Sequence, residues 1–114
     1  MKKILLTPVL LLISLLLTAQ QPQHVEPPFW WTGMEHSELQ LLVHGKDIGY
    51  STPEFNYNGV KLKQTIKVEN PNYLFLDLEI TPETTPGAFT IYFMREGRQV
   101  YSYDYELRDR DKAS

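Results

Sequence analysis

Cysteine is absent from the 114 residues, which excludes disulfides, thiolate metal sites and a lipid-bearing cysteine behind a leader. Excess positive charge is absent too. The formal net charge is −3, and removing Lys2 and Lys3 with the leader described below takes it from −3 to −5. An acidic chain of this kind has no electrostatic footprint for nucleic acid or anionic lipid. No amphipathic helical period is sustained over three turns, and the part after the leader contains neither internal repeats nor low-complexity tracts. The length allows one domain at most, and 12% aromatic residues supply enough bulk for a compact core.

The N-terminus is a different kind of segment. Met1-Lys2-Lys3 is a short positive stretch, Ile4 to Leu17 is dominated by leucine and isoleucine, and Thr18-Ala19-Gln20 ends the run. This is the pattern of a cleavable secretory signal peptide over residues 1–19. The apolar run falls short of the roughly 20 residues that span a bilayer, and Pro8 interrupts it; the alternative is an uncleaved N-terminal membrane anchor. Cleavage is expected after Ala19, with Gln20 as the alternative. The expectation is export, to the periplasm first, with the cell surface or the medium as alternatives, and no membrane attachment after cleavage. Residues 20–24 are expected to be a disordered lead-in.

Residues 25–107 carry the signals of strands. Leu39, Leu41 and Val43 alternate with Gln40, Leu42 and His44. Gly49 to Glu54 is expected to be a loop, and Asn58-Gly59 is expected to form a type I′ hairpin turn. After it, Val60, Leu62, Ile66 and Val68 are placed on one face and Lys61, Lys63, Thr65, Lys67 and Glu69 on the other, as in a sheet with one wet face. Leu74, Leu76, Leu78 and Ile80 point inward in the next strand, with Asp77 and Glu79 outward. A final hairpin turns at Arg95-Glu96-Gly97-Arg98, and its return strand alternates Tyr101, Tyr103, Tyr105 and Leu107 with Ser102, Asp104, Glu106 and Arg108. Short alternating strands broken by Gly, Pro and Asn turns indicate an all-β sandwich. Residues 108–114, a charged run without core residues, are expected to begin a linker.

Little in this chain points to catalysis. Glycoside hydrolysis needs two carboxyls about 5–9.5 Å apart in a cleft, one with a raised pKa. Asp77 and Glu79 share a strand face, as do Asp104 and Glu106, but solvated sheet faces account for both pairs. His24, His36 and His44 share no strand face or helical spacing that would hold a metal, and no nucleophile-elbow glycines flank any serine. The chain alone is expected to be no enzyme, with no catalytic residue, metal or cofactor.

The candidate site is aromatic. Both tryptophans sit side by side in Val25-Glu26-Pro27-Pro28-Phe29-Trp30-Trp31-Thr32-Gly33-Met34. Proline fixes φ and removes an amide donor, so Pro27-Pro28 delivers Phe29, Trp30 and Trp31 to an edge position as a stiff wedge. Each ring can bury roughly 150–250 Å². Tyr50 and Tyr57, in loops, are candidates to widen a sugar-stacking platform. The alternative is that one Trp plugs the sandwich end while the other packs on an adjoining domain.

This stretch, the following Leu39-Gln40-Leu41-Leu42-Val43-His44-Gly45-Lys46-Asp47-Ile48, and Glu69-Asn70-Pro71-Asn72-Tyr73-Leu74-Phe75-Leu76-Asp77-Leu78 together resemble the N-terminal domain of Bacteroidetes cyclomaltodextrinases and neopullulanases, starch-acting enzymes of glycoside hydrolase family 13. The resemblance covers essentially everything after the leader. It implies an immunoglobulin-like antiparallel β-sandwich, preceded by the signal peptide and appended to a catalytic barrel. Such a barrel takes roughly 250 residues and is not in this sequence. The expected function is therefore that of a non-catalytic accessory domain, packing on the catalytic barrel or a second subunit and shaping the glucan site. The other readings are a free-standing periplasmic module binding maltooligosaccharide or cyclomaltodextrin, and a gene fragment without a role.

Overall fold

The computed structural model describes residues 20–110; the expected signal peptide lies outside them. Eight strands occur in the order β1 (His24–Glu26), β2 (Phe29–Thr32), β3 (Glu38–His44), β4 (Thr52–Glu54), β5 (Val60–Lys67), β6 (Tyr73–Ile80), β7 (Gly87–Arg95) and β8 (Arg98–Asp109), with a 3-10 turn at Ile48–Tyr50. They form two four-stranded sheets, β1-β3-β6-β5 and β2-β8-β7-β4. The first is the arrangement of the four-stranded sheet in immunoglobulin domains, and β8, β7 and β4 correspond to the three strands of its partner. The all-β sandwich is thus observed. One pairing departs from the antiparallel expectation: β2 runs parallel to β8, with Trp30 opposite Leu107 and Thr32 opposite Asp109.

The core lies between the sheets. From the first come Leu39, Leu41, Val43, Leu74, Leu76 and Leu78; from the second come Phe89, Ile91, Phe93, Tyr101, Tyr105 and Leu107, all buried. These are the inward positions of the alternating strands, so period-two patterning accounts for them. At roughly 1.5–3 kcal/mol for each large apolar side chain, this layer is the main driving force of the fold.

Four expectations are corrected. Residues 20–24 are tied down rather than disordered: the Ser102 amide donates to the Gln20 carbonyl at 2.8 Å, the Gln23 amide donates to the His44 carbonyl at 2.9 Å, and His24 opens β1. The loop expected at Gly49 to Glu54 contains the 3-10 turn and β4, whose Pro53 is tolerated because β4 is an edge strand. Asn58-Gly59 is no hairpin turn, since β4 and β5 lie in different sheets. Only Gly59 has positive φ, at 92°, and the Val60 amide bonds to the Tyr57 carbonyl at 3.1 Å, the signature of a type II turn. The type I′ pattern appears instead at Glu96-Gly97, with φ of 53° and 77°, in the hairpin joining β7 to β8.

The fourth correction concerns β5. A bulge between Leu62 and Gln64 shifts its register on β6. One extra residue exchanges the two faces for the rest of the strand. Ile66 therefore pairs with outward Phe75, while Lys67 pairs with inward Leu74. Lys67 satisfies its ammonium by donating to the carbonyls of Gly49 at 2.5 Å and Ser51 at 3.3 Å. Val68, expected on the apolar face, is exposed.

Candidate functional site

Pro27-Pro28 lies where the chain leaves the first sheet and enters the second. The Tyr105 hydroxyl donates to the Pro27 carbonyl and the Tyr103 hydroxyl donates to the Pro28 carbonyl, each at 3.0 Å. The tyrosine alternation of β8 thus supplies two adjacent anchors for the stretch preceding the wedge. Burial pushes both phenols above their ordinary pKa, and for Tyr105 the neighbouring Tyr103 adds to the shift. Both stay protonated donors at neutral pH. A third member, Tyr101, donates to the Lys46 carbonyl at 2.6 Å.

The pleat of β2 then divides the three rings. Trp30, opposite buried Leu107, packs against the core. Phe29 and Trp31, opposite Glu106 and Arg108, share the outer face. Their rings meet edge to face at 5.3 Å, and Trp30 lies 5.3 Å from Trp31. The Arg108 guanidinium sits 3.5 Å from the Phe29 ring centroid, a cation–π contact. Arg108 also donates to the Glu106 carboxylate at 3.2 Å. Arg108 and Asp109, expected to open a linker, are still in β8, paired with Trp31 and Thr32. The backbone partner β2 extends the strand through charged residues that have no place in the core.

The two tyrosines part company. Tyr57 stacks on Phe89 at 5.0 Å and donates to the Thr85 carbonyl at 2.7 Å; it packs against the core near the end of the sandwich that carries Trp30. Tyr50 is exposed and lies under the Arg95 guanidinium at 5.1 Å. Arg95 ends β7, whereas the Trp30 level is that of Gly87, which begins it. At the usual rise, nine residues of strand separate these levels by roughly 27 Å. Tyr50 therefore does not join one platform with Phe29 and Trp31.

Among the described residues, the pairs Asp77–Glu79 and Asp104–Glu106 are each engaged by other side chains. Asp77 accepts from Gln40 Nε2 at 2.8 Å and Gln64 Nε2 at 2.7 Å, one glutamine on each oxygen. The Gln64 bond, then the Gln40 bond, hold its pKa below the ordinary value, opposite to what a general acid needs. Glu79 faces Lys63 at 3.7 Å, and Asp104 accepts from the Thr90 hydroxyl at 2.7 Å. His44 stacks on Tyr73 at 4.6 Å and His24 faces Glu26 at 3.1 Å. Among the described residues no cluster of three metal-binding side chains occurs. Sequence reasoning missed Arg108, hidden in a charged run, and Gln40 and Gln64, which become neighbours of Asp77 only through strand register.

Residues 24–111 match the family model described as the N-terminal domain of cyclomaltodextrinase. The chain belongs to that family.

Proposed function

From that membership we propose that the chain is the accessory domain of an exported starch- or cyclomaltodextrin-degrading glycoside hydrolase, directed to the periplasm by residues 1–19. Hydrolysis of α-1,4-glucosidic bonds belongs to the catalytic barrel. This domain packs on the barrel, or on a second subunit, through Phe29, Trp31 and Arg108, and so holds the barrel's glucan cleft in place. Trp30 fixes the wedge by packing inward.

The observation that carries the reading is where the described chain leaves the sandwich. Thr32 pairs with Asp109, and Arg110 Nη1 reaches the Gly33 carbonyl at 3.5 Å. A domain joined beyond this point starts beside the outward rings of β2. Aromatic residues and arginine are the side chains most enriched at the centres of interfaces.

The first test is the size of the native product in its own host, detected with an antibody raised against the sandwich. A band several times larger than this chain is expected. A band at the size of this chain overturns the reading. Titration of the domain with maltooligosaccharides would then test the other function, a free-standing binding module stacking sugar on Trp31 and Phe29.

A further inference from the structure

The ladder joining β1 to β3 is the shortest in the first sheet, and its register carries chemistry that residue order hides. His24 lies directly opposite His44, Val25 opposite Val43 and Glu26 opposite Leu42. Val25 and Val43 are buried in the core, so the alternation of both strands turns His24, His44 and Glu26 to the outer face. The two histidines, expected to share no strand face, are therefore cross-strand neighbours, with Cβ atoms about 4.5–5.5 Å apart. His24 is exposed and His44 half-buried.

Each imidazole has a neighbour that sets its ring and leaves a nitrogen free. The Glu26 carboxylate lies 3.1 Å from Nε2 of His24. A carboxylate in that place draws the proton of the neutral ring to Nε2 and leaves the lone pair on Nδ1. Carboxylates orient metal-binding histidines in the same way. On the other side, Tyr73 stacks on His44 at 4.6 Å with the two planes 18° apart. That contact covers the face of the ring, whereas the nitrogen lone pair lies in its plane. Among the described residues, none bonds to a ring nitrogen of His44.

Two neutral imidazoles so placed can chelate one ion. Imidazole nitrogens bind zinc at about 2.0–2.1 Å, which puts two of them about 3.3 Å apart around a tetrahedral centre. Rotation of the exposed His24 ring covers the difference from the cross-strand spacing. No group of three metal-binding side chains converges among the described residues, so water completes the coordination and the ion is held at two points. The donor type selects the ion: imidazole suits copper, nickel and zinc, whereas calcium and magnesium take oxygen ligands. An ion held between β1 and β3 would also cross-link the short strand that leads into Pro27-Pro28, in a chain with no cysteine to do so.

We propose that His24 and His44 form a surface site for a late first-row divalent metal ion, with Glu26 as a positioning residue, and that the ion staples β1 to β3. The site goes beyond the packing role assigned above and uses the opposite sheet.

The test is titration of the full chain with zinc chloride and, separately, nickel chloride at neutral pH, followed by calorimetry and by the NMR signals of the histidine rings. Saturable binding of one ion per chain at micromolar concentration is expected, with both His24 and His44 perturbed and hydrogen exchange in β1 slowed. Glu26→Ala should weaken binding by about tenfold and shift the His24 nitrogen signals away from the Nε2-protonated pattern. His24→Ala and His44→Ala remove the ligands themselves and should weaken it further. His36→Ala should leave the affinity unchanged, and calcium should move neither ring. The proposal is overturned if neither transition-metal ion moves both rings at millimolar concentration, or if His24→Ala or His44→Ala binds as tightly as wild type. Loss of binding in His36→Ala, or one ion shared by two chains, overturns it as well. Unchanged His24 nitrogen signals in Glu26→Ala would remove the positioning role.

Discussion

The two layers of the sandwich meet in one core but are built from different side chains. The first sheet contributes leucine, isoleucine and valine, which have nothing but volume to offer. The second contributes Phe89, Phe93, Tyr101, Tyr105 and, at its edge, Trp30. Its tyrosines pass through the core and end in hydroxyls that hold the carbonyls of Lys46, Pro27 and Pro28. The aliphatic layer makes the fold stable, and the aromatic layer also decides where the loops and the β2 wedge sit. Both sheets thus stabilise the core, but only the second also positions the loops and β2, and substitutions should separate the two contributions.

The largest effect should come from the aliphatic side. Leu76 is fully buried, and Leu76→Ala should cost about 2–5 kcal/mol in urea unfolding, through lost transfer energy and a residual cavity. Tyr105→Phe keeps the ring and removes only the bond to Pro27, so a smaller loss of about 1–3 kcal/mol is expected. It should be accompanied by faster hydrogen exchange in β2, which Leu76→Ala at equal destabilisation should not reproduce selectively. Equal exchange in both variants would break the division of labour drawn here.

Acidity sharpens the same contrast. The phenol pKa values of Tyr103 and Tyr105 are raised above 10.0 in the folded state. Their contribution is fully present below that pH and is lost as pH rises through the folded values. The urea midpoint should therefore fall in strong alkali, and the Tyr103→Phe, Tyr105→Phe double variant should start lower and fall less. Asp77 behaves in the opposite sense. Its pKa lies below 3.8, so its contribution is present above that value and is lost as pH falls through the folded one. Gln64→Ala should raise the Asp77 pKa measured by NMR, with the smallest change in stability of the set because these side chains face solvent. An unchanged pKa would remove Gln64 as the main cause of the shift.

Much of this arrangement could be read from residue order, because period two is local. The inward sets of β3, β6 and β8 and the Arg95–Arg98 hairpin are where alternation and turn chemistry place them. What escaped depends on the neighbour rather than on the strand itself. The bulge at Lys63 is a property of the β5–β6 pair, and it turns Ile66 outward despite a clean alternating sequence. Asn58-Gly59 scores as a hairpin only if the flanking strands pair, and here they lie in separate sheets. The candidate site shows the same limit. Pro27-Pro28 announces an edge and a wedge, but the split between inward Trp30 and outward Phe29 and Trp31 needs the register on β8. The partnership of Arg108 with Phe29 joins residues from the two ends of the domain, which no local pattern can pair.

The parallel run of β2 beside β8 also has a mechanical consequence. Tension applied between the chain entering β2 and the chain leaving β8 pulls two parallel strands lengthwise past each other in opposite directions. Their ladder of hydrogen bonds is then loaded together rather than opened one at a time, as in an unzipping hairpin. Rupture under force is governed by the unfolding rate rather than by equilibrium stability. A strand of only four residues can thus set the force at which the sandwich lets go of whatever is tethered to it.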